Sequence, residues 1–420
     1  MPRQSPQALV LGINYPPEHT GISPYTGGMA RGIAGHGYEV RVLTAHPHYP
    51  EWKLRSGYGQ WTRHDSEDGV SITRLRHYIP ARPSATRRAI SEISFGLRQA
   101  FHRWGRPDVI IAVSPALLST AIARFRAAIT HRRVPFIVWV QDLYSLGLSE
   151  TGQASGLTVR AMLRFEGWVL RHATRVIVIH ERFASRVEHD FKIPKERITV
   201  VRNWSHVPAP REIDRDTVRH ELGWSGHEWI VLHAGNMGVK QGLANVIDAA
   251  RLAQLDGVPI HFVLLGEGSE RMHLENLADG VSTVTFMDPL EADQFSKALQ
   301  TADVLLVNEK QGVAEMAVPS KLTSYFAAGR PVLAATDPAG ITAEEILRAR
   351  AGIVVPAGNP RSLLEAVLKL TSNPDAAEAL GRNGRAFRDS VLTESVAIDA
   401  FVELLSDVID GDDNHPAPRP

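Results

Sequence analysis

The chain has 420 residues, 44% hydrophobic and 22% charged, which is the make-up of a globular protein of about two or three domains. It contains no cysteine, which excludes disulfides, thiolate metal sites and a cysteine nucleophile and fits a reducing compartment. The formal charge is zero, yet residues 1–200 carry 27 Lys and Arg against 15 Asp and Glu, a net of +12, and residues 201–420 carry the opposite, −12. That asymmetry points the first half towards a polyanionic or membrane-surface partner. No apolar run reaches the ~20 residues that cross a bilayer, and MPRQSPQALVLGIN lacks the apolar core of a signal peptide.

Gln7 to Asn14 reads as a short apolar strand. Gly21 allows a tight turn, Ser23 can cap a helix and Pro24 suits its first position, and the helix runs towards His36. Glu39 to Thr44 is the next strand. This strand, glycine turn, helix and strand would place a ligand at the top of the first strand, as in doubly wound sheets. There is no G-x-G-x-x-G, so a dinucleotide cofactor is disfavoured. Residues 46–70 read as loop, with His46 and His48 as polar loop residues rather than metal ligands. Ser71 to Leu75 is a strand. RPSATRRAISEISFGLRQAFHRWGR then sets Ile90, Ile93, Phe95, Leu97, Phe101 and Trp104 among arginines, a basic amphipathic helix.

From there the alternation is regular. Strands are expected at 108–113, 135–140, 175–179 and 198–201, with helices at 117–131, 156–172 and 181–190 between them. The Pro-containing stretch 203–212 reads as a linker. A second alternation starts at Trp229, with strands at 229–233, 260–265, 283–286, 304–307, 331–335 and 352–355. Helices near 360–370, 375–390 and 394–409 follow, and the tail 410–420 is expected to be disordered. The fold class is therefore α/β, with two doubly wound, Rossmann-like domains facing across a cleft. The expected boundaries are 1–205 and 206–390, with the helix at about 392–409 packing back on the first domain.

Three turns of the second domain follow strand ends: AGNMGVKQG, LGEGSE and the helix start at Pro319 and Ser320. A doubly wound sheet brings such turns together at its carboxyl edge, where Asn236, Lys240 and Lys321 would surround one diphosphate. Ser320 is the expected N-cap, with Lys321 at the first exposed position, and Glu267 and Glu315 are acceptors suited to ribose or sugar hydroxyls. The acidic runs at 65–68 and 410–413 read as solvated charges, not a metal site. Neither a phosphate-loop ATPase motif nor G-x-S-x-G is present.

These stretches resemble the retaining glycosyltransferases of the GT-B fold, family 4, and among them the bacterial exopolysaccharide and O-antigen enzymes of the colanic acid type. YPPEHTGISPYTGGMARGIAGHGYEVRVLTAHPHYPEW, VQDLYSLGLSETG, VVRNW, AGNMGVKQG and VPSKLTSYFAAGRPVLA carry the resemblance over nearly the whole chain. It implies a UDP- or GDP-linked sugar donor held mainly by the second domain, with no further cofactor and no catalytic metal. It implies that Gly21 lets backbone amides approach the donor phosphates, and that Lys240 and Lys321 neutralise the departing diphosphate. Glu315 would contact the sugar, and Asn236, Gly238, Glu267, Ser320, Leu322 and Ser324 would complete the donor site. Two positions depart from the pattern. Asn236 and Gln241 stand where many members have arginine and lysine, and Ser324 stands where a ribose-binding glutamate is usual.

The implied acceptor is a sugar or a lipid-diphosphate-linked sugar, with peripheral contact to an anionic membrane on the inner, cytoplasmic face and no nucleic-acid partner. A nucleotide-sugar epimerase on the same plan, or a protein that binds nucleotide sugars without turnover, is the alternative.

Overall fold

The computed structural model describes residues 5–19, 21–143, 156–204, 213–224, 226–312 and 320–411. Two compact units emerge: Met1–Trp204 with Glu394–Pro420, and Ser205–Thr393. Of the expected linker at 203–212 and the expected tail at 410–420, residues 205–212 and 412–420 lie outside the described residues, while Trp204 is buried in the core of the first unit and 410–411 are helical.

The first unit is built on an eight-stranded sheet. Its strands are β1 (Gln7–Leu11), β2 (Glu39–Ala45), β3 (Thr62–Glu67), β4 (Val70–Leu75), β5 (Val109–Ser114), β6 (Phe136–Val140), β7 (Arg175–Val178) and β8 (Ile198–Val200), in the order β3-β4-β2-β1-β5-β6-β7-β8. All neighbours are parallel except β3, which turns back antiparallel on β4. The reading of 46–70 as loop is corrected here. Thr62–Glu67 pairs as an edge strand because Asp65 faces inward to two arginines, Arg63 at 2.8 Å and Arg74 at 2.9 Å. Its polar alternation hid it, since an edge strand needs no continuous apolar run.

Helices α1 (Ser23–Gly35), α2 (Ala85–Ala100), α3 (Leu117–Thr130), α4 (Gly156–Arg171), α5 (Glu181–Phe191) and α14 (Glu394–Gly411) complete this unit. Ser23 does not cap α1. The helix begins at Ser23 itself, whose hydroxyl donates to the Glu18 carbonyl at 2.9 Å. The glycines of α1 explain why the last helix joins the first unit. A Cβ on Gly32 would stand 2.5 Å from Ile398, and one on Gly28 would stand 2.7 Å from Trp204. Without side chains there, α14 settles on α1 and buries Ile398, Phe401 and Leu405 in the core, Phe401 edge-on to Trp139 at 4.9 Å.

The second unit holds a fully parallel sheet. Its strands are β9 (Trp229–Ala234), β10 (Ile260–Leu265), β11 (Val284–Met287), β12 (Val304–Asn308), β13 (Val332–Thr336) and β14 (Gly352–Pro356), in the order β11-β10-β9-β12-β13-β14. Helices α6 (Arg215–Glu221), α7 (Ala244–Asp256), α8 (Arg271–Leu277), α9 (Ala292–Thr301), α10 (Ser320–Ala328), α11 (Ile341–Ala349), α12 (Pro360–Thr371) and α13 (Pro374–Val391) accompany it. Alternate strand residues feed separate cores on its two faces. Val231, Phe262, Leu264 and Leu306 lie in one, and Leu232, Val263, Leu265 and Leu305 in the other. Burial on both faces is why these strands read as unbroken apolar runs.

The order reverses between β9 and β12: β10 and β11 lie on one side, and the chain then crosses to β12, β13 and β14 on the other. This is the switch point at which open α/β sheets bind ligands, outside the carboxyl ends of the strands.

Candidate functional site

The loops after β9, β10 and β12 meet at that edge and are tied through backbone. Gly235 N–H donates to Leu265 O, Met237 N–H to Glu267 O and Glu270 N–H to Met237 O, each at 2.8 to 2.9 Å. Lys310 N–H donates to Lys240 O at 2.8 Å. A Cβ on Gly266 would lie 2.0 Å from Gly235 O, and one on Gly268 would lie 2.4 Å from Met237 O, so glycine is what lets these two loops touch.

Beneath the loops lies a polar floor. Buried Asn308 donates to the carbonyls of Gln241 and Gly242 at 2.7 and 3.0 Å and accepts from Asn245 at 2.8 Å. Tyr325, on α10, is buried with its hydroxyl at the strand ends. It accepts Ala234 N–H at 2.9 Å and donates to Leu306 O at 3.2 Å. These bonds fix the first turns of α10 against the ends of β9 and β12.

Lys321, in the first turn of α10, is at the centre. Its expected exposure is corrected: the ammonium is buried and has no hydrogen-bond partner among the described residues. It lies 3.7 Å from the position of a Cβ on Gly235. Burial lowers its pKa to about 8, and the Glu309 carboxylate works in the other direction. Glu309, the first residue past β12, is held by the hydroxyls of Thr336 and, at 2.7 Å, Thr342. His233 lies fully buried nearby. Burial, then the charge of Lys321, keeps its pKa well below the usual imidazole range, with the backbone of Asn236 and Leu306 as its polar neighbours. A buried ammonium without an acceptor costs on the order of several kcal/mol, a cost that a bound anion offsets.

The other expected residues divide. Asn236, Gly238 and Lys240 lie in the β9 loop at the same edge, Asn236 and Lys240 exposed. Gly238 N–H donates to Gln241 Oε1 at 3.1 Å, so Gln241 braces this loop from within. Glu267 is exposed but pairs with Arg271 at 2.6 Å, and Arg271 also holds Glu275 and Asp288. Leu322 points into the core and has no side chain to offer a ligand. Ser324 is half-buried on α10. Gly21 belongs to the first unit, at φ +64 in the turn before α1. Ser320 opens α10, and Glu315 lies outside the described residues.

Sequence reading missed Glu309, His233, Asn308 and Tyr325. A signal for three of them existed: a histidine interrupts the apolar strand WIVLHA, and Asn308 and Glu309 end the apolar run of β12. His46 and His48 are not solvated either. They are buried, His46 Nε2 on Gln60 O at 2.8 Å and His48 Nδ1 on His46 O at 2.9 Å, as the 46–60 segment folds over itself.

A family model described as a glycosyl transferase 4-like domain matches residues 20–204. A second, described as glycosyl transferases group 1, matches residues 214–387. WcaI of Escherichia coli, named for glycosyl transfer in colanic acid biosynthesis, is 33% identical over 336 residues, covering 76% of this chain and 81% of WcaI. Among solved structures, sucrose-phosphate synthase from Thermosynechococcus elongatus superposes with TM-score 0.74 at 17% identity, covering 97% of this chain and all of that one. HepE of Anabaena, solved with UDP, gives 0.68 at 15%, covering 96% and 100%. At such identities the two structures speak for the fold, while the family models and WcaI speak for the family. None of these relatives is named for epimerisation. The chain belongs to the GT-B glycosyltransferases of family 4, and its activity is glycosyl transfer.

Proposed function

We propose that this protein transfers a hexosyl unit, with retention of configuration, from a UDP- or GDP-linked sugar to a sugar or lipid-diphosphate-linked acceptor in the making of a bacterial exopolysaccharide. The observation that carries the donor half of this reading is the ammonium of Lys321, buried and without a hydrogen-bond partner among the described residues, at the switch point of the second sheet. A diphosphate supplies the acceptor atoms that Lys321 lacks. HepE, a neighbour in fold, is solved with UDP-glucose as well as with UDP.

In this reading Lys321 and Lys240 meet the charge that develops on the leaving diphosphate, where electrostatic stabilisation counts most. Glu309 orients Lys321, and Glu315 contacts the sugar. Asn236, Gly238, Glu267, Ser320, Leu322 and Ser324 complete the donor site, Leu322 through its backbone. The acceptor hydroxyl attacks the face the diphosphate leaves, so the enzyme supplies no nucleophile, and lysine charge stands where other transferases use a metal. The acceptor belongs to the first unit, whose net charge suits a lipid diphosphate at the cytoplasmic membrane face.

The test is incubation with a panel of nucleotide sugars, with and without a lipid extract and with and without EDTA. Free nucleotide diphosphate is followed, and the product anomer is read by NMR. Extract-dependent, EDTA-resistant release with a retained anomer is expected. Donor epimers formed without acceptor, or an inverted product, would overturn the reading.

A further inference from the structure

Helix α2 carries two apolar faces, and the sheet uses only one. Ser91, Phe95, Gly96 and Gln99 are buried, and a Cβ on Gly96 would lie 2.9 Å from Ile122 of α3, so the inner face is closely packed. Ile90, Ile93, Leu97 and Phe101 recur at helical spacing within a stripe about 80° wide on the other side. All four are exposed, Phe101 at 86%. Arg126 of α3 bonds the carbonyls of Gln99, Ala100 and His102, which brings the turn carrying exposed Phe125 and Ile129 to the Phe101 end of the stripe. At the flank Trp61 is 66% exposed, with the Arg98 guanidinium 3.8 Å over its ring.

Arginine dominates the chain that builds most of this surface. Residues 76–133 hold eleven arginines and no lysine, against only Glu92 and Asp108, and Glu92 is half-buried with Leu118 N–H donating to it. Arginines edging exposed Ile, Leu, Phe and Trp are the chemistry that seats a helix in an anionic lipid headgroup layer. A second copy of the chain fits less well, because the same cationic rim would face itself across the contact.

We propose that the outer stripe of α2, with Trp61, Phe125 and Ile129, is a docking surface for an anionic phospholipid bilayer, the stripe entering the acyl boundary and the arginines engaging lipid phosphates. This rests on the membrane-surface acceptor proposed above and assigns that contact to one face of the first unit.

The full chain is sedimented with phosphatidylglycerol-containing vesicles and with pure phosphatidylcholine vesicles, at low salt and at about 0.5 M salt, where charge attraction is screened. The comparison variants are L97E/F101E and R87E/R103E. Unfolding temperature and nucleotide-diphosphate binding report whether each variant is folded. We expect binding to the anionic vesicles alone, at least tenfold weaker in high salt and at least tenfold weaker in both folded variants. Absence of wild-type binding at low salt, binding that ignores the substitutions, or a wild-type dimer that L97E/F101E splits would each overturn the proposal. Vesicle binding is read without donor or turnover. A protein that binds vesicles normally but transfers no sugar therefore contradicts the proposed function and leaves the docking surface standing.

Discussion

The ammonium of Lys321 lies 3.7 Å from the position of a Cβ on Gly235, in a space at the end of β9 where it meets no hydrogen-bonding group of the described residues. Stability and function therefore oppose each other at this lysine. Lys321→Met removes a buried cation and keeps the aliphatic stem. It is expected to stabilise the free protein by about 1–3 kcal/mol, since even a paired buried charge is often replaced by an apolar isostere with a gain, and this one has no hydrogen-bond partner among the described residues. The same change should cut kcat/KM for the nucleotide sugar by about 10²–10³, the scale of losing one charge-stabilising donor. Thermal unfolding and steady-state rates check both. A variant that is less stable and still active would remove Lys321 from the donor site.

The lowered pKa of Lys321, about 8, gives a pH signature. A diphosphate binds the protonated form, so kcat/KM for donor should fall as pH rises through about 8 in the wild type, the limb of the free enzyme. Stability moves the other way. Between the folded value and the ordinary lysine value the unfolded chain holds more protons, so stability rises from pH 8 towards 10.5. Lys321→Met should show neither slope. Donor titrations and melting curves from pH 7 to about 10 decide it.

Glu92 makes the opposite case in the first unit. Burial raises its pKa from 4.5 to about 7, and Leu118 N–H, which donates at 3.1 Å, lowers it only partly. A raised carboxyl contributes stability below its unfolded value and loses it as pH rises through the folded one. Wild-type stability should therefore decline between pH 4.5 and 7, by about 2–3 kcal/mol at most. Glu92→Gln keeps an acceptor for Leu118 and should flatten the decline. Denaturant unfolding at several pH values reads the difference.

The seat of α14 on α1 can be tested by a pair of substitutions. A Cβ on Gly32 would fall 2.5 Å from Ile398. Gly32→Ala is expected to cost about 1–3 kcal/mol by overpacking, and Ile398→Ala about 2–5 kcal/mol by leaving a cavity. Combined, the new methyl enters the space that Ile398 leaves. The double variant should be more stable than the sum predicts, by about 1–2 kcal/mol of coupling. Strict additivity in denaturant unfolding would mean that the two helices do not share this contact.

Much of the fold was legible before any coordinates. The runs at Asp108–Val113 and Ile260–Leu265 are apolar without alternation because both faces of their sheets are covered. Turn chemistry marked the ends: Gly235, Gly266 and Gly329 all take positive φ, which other residues rarely adopt. Strand β3 was not legible. It pairs through backbone at an edge, with Asp65 held by arginines at 63 and 74, and its residues look like a solvated loop. The burial of Lys321 was equally hidden. In sequence it is one polar residue beside a helix start, and nothing local shows that Tyr325 fixes that helix over the ends of β9 and β12.

What the amino-acid sequence determined by itself is the alternation of two parallel α/β units, the location of three turns at strand ends, and the clustering of arginine around one amphipathic helix. Those follow from periodicity, glycine conformation and composition, which are local properties. The tertiary structure alone decided which side chains those turns present. It buried Lys321 beside Glu309 and His233, committed Glu267 to Arg271 and turned Leu322 into the core. It also left the stripe from Ile90 to Phe101 bare while packing the opposite face of the same helix. The physical reason is that burial and pairing depend on residues brought together from distant parts of the chain. The burial of an ammonium is a property of the space around it, and that space forms only when the sheet does.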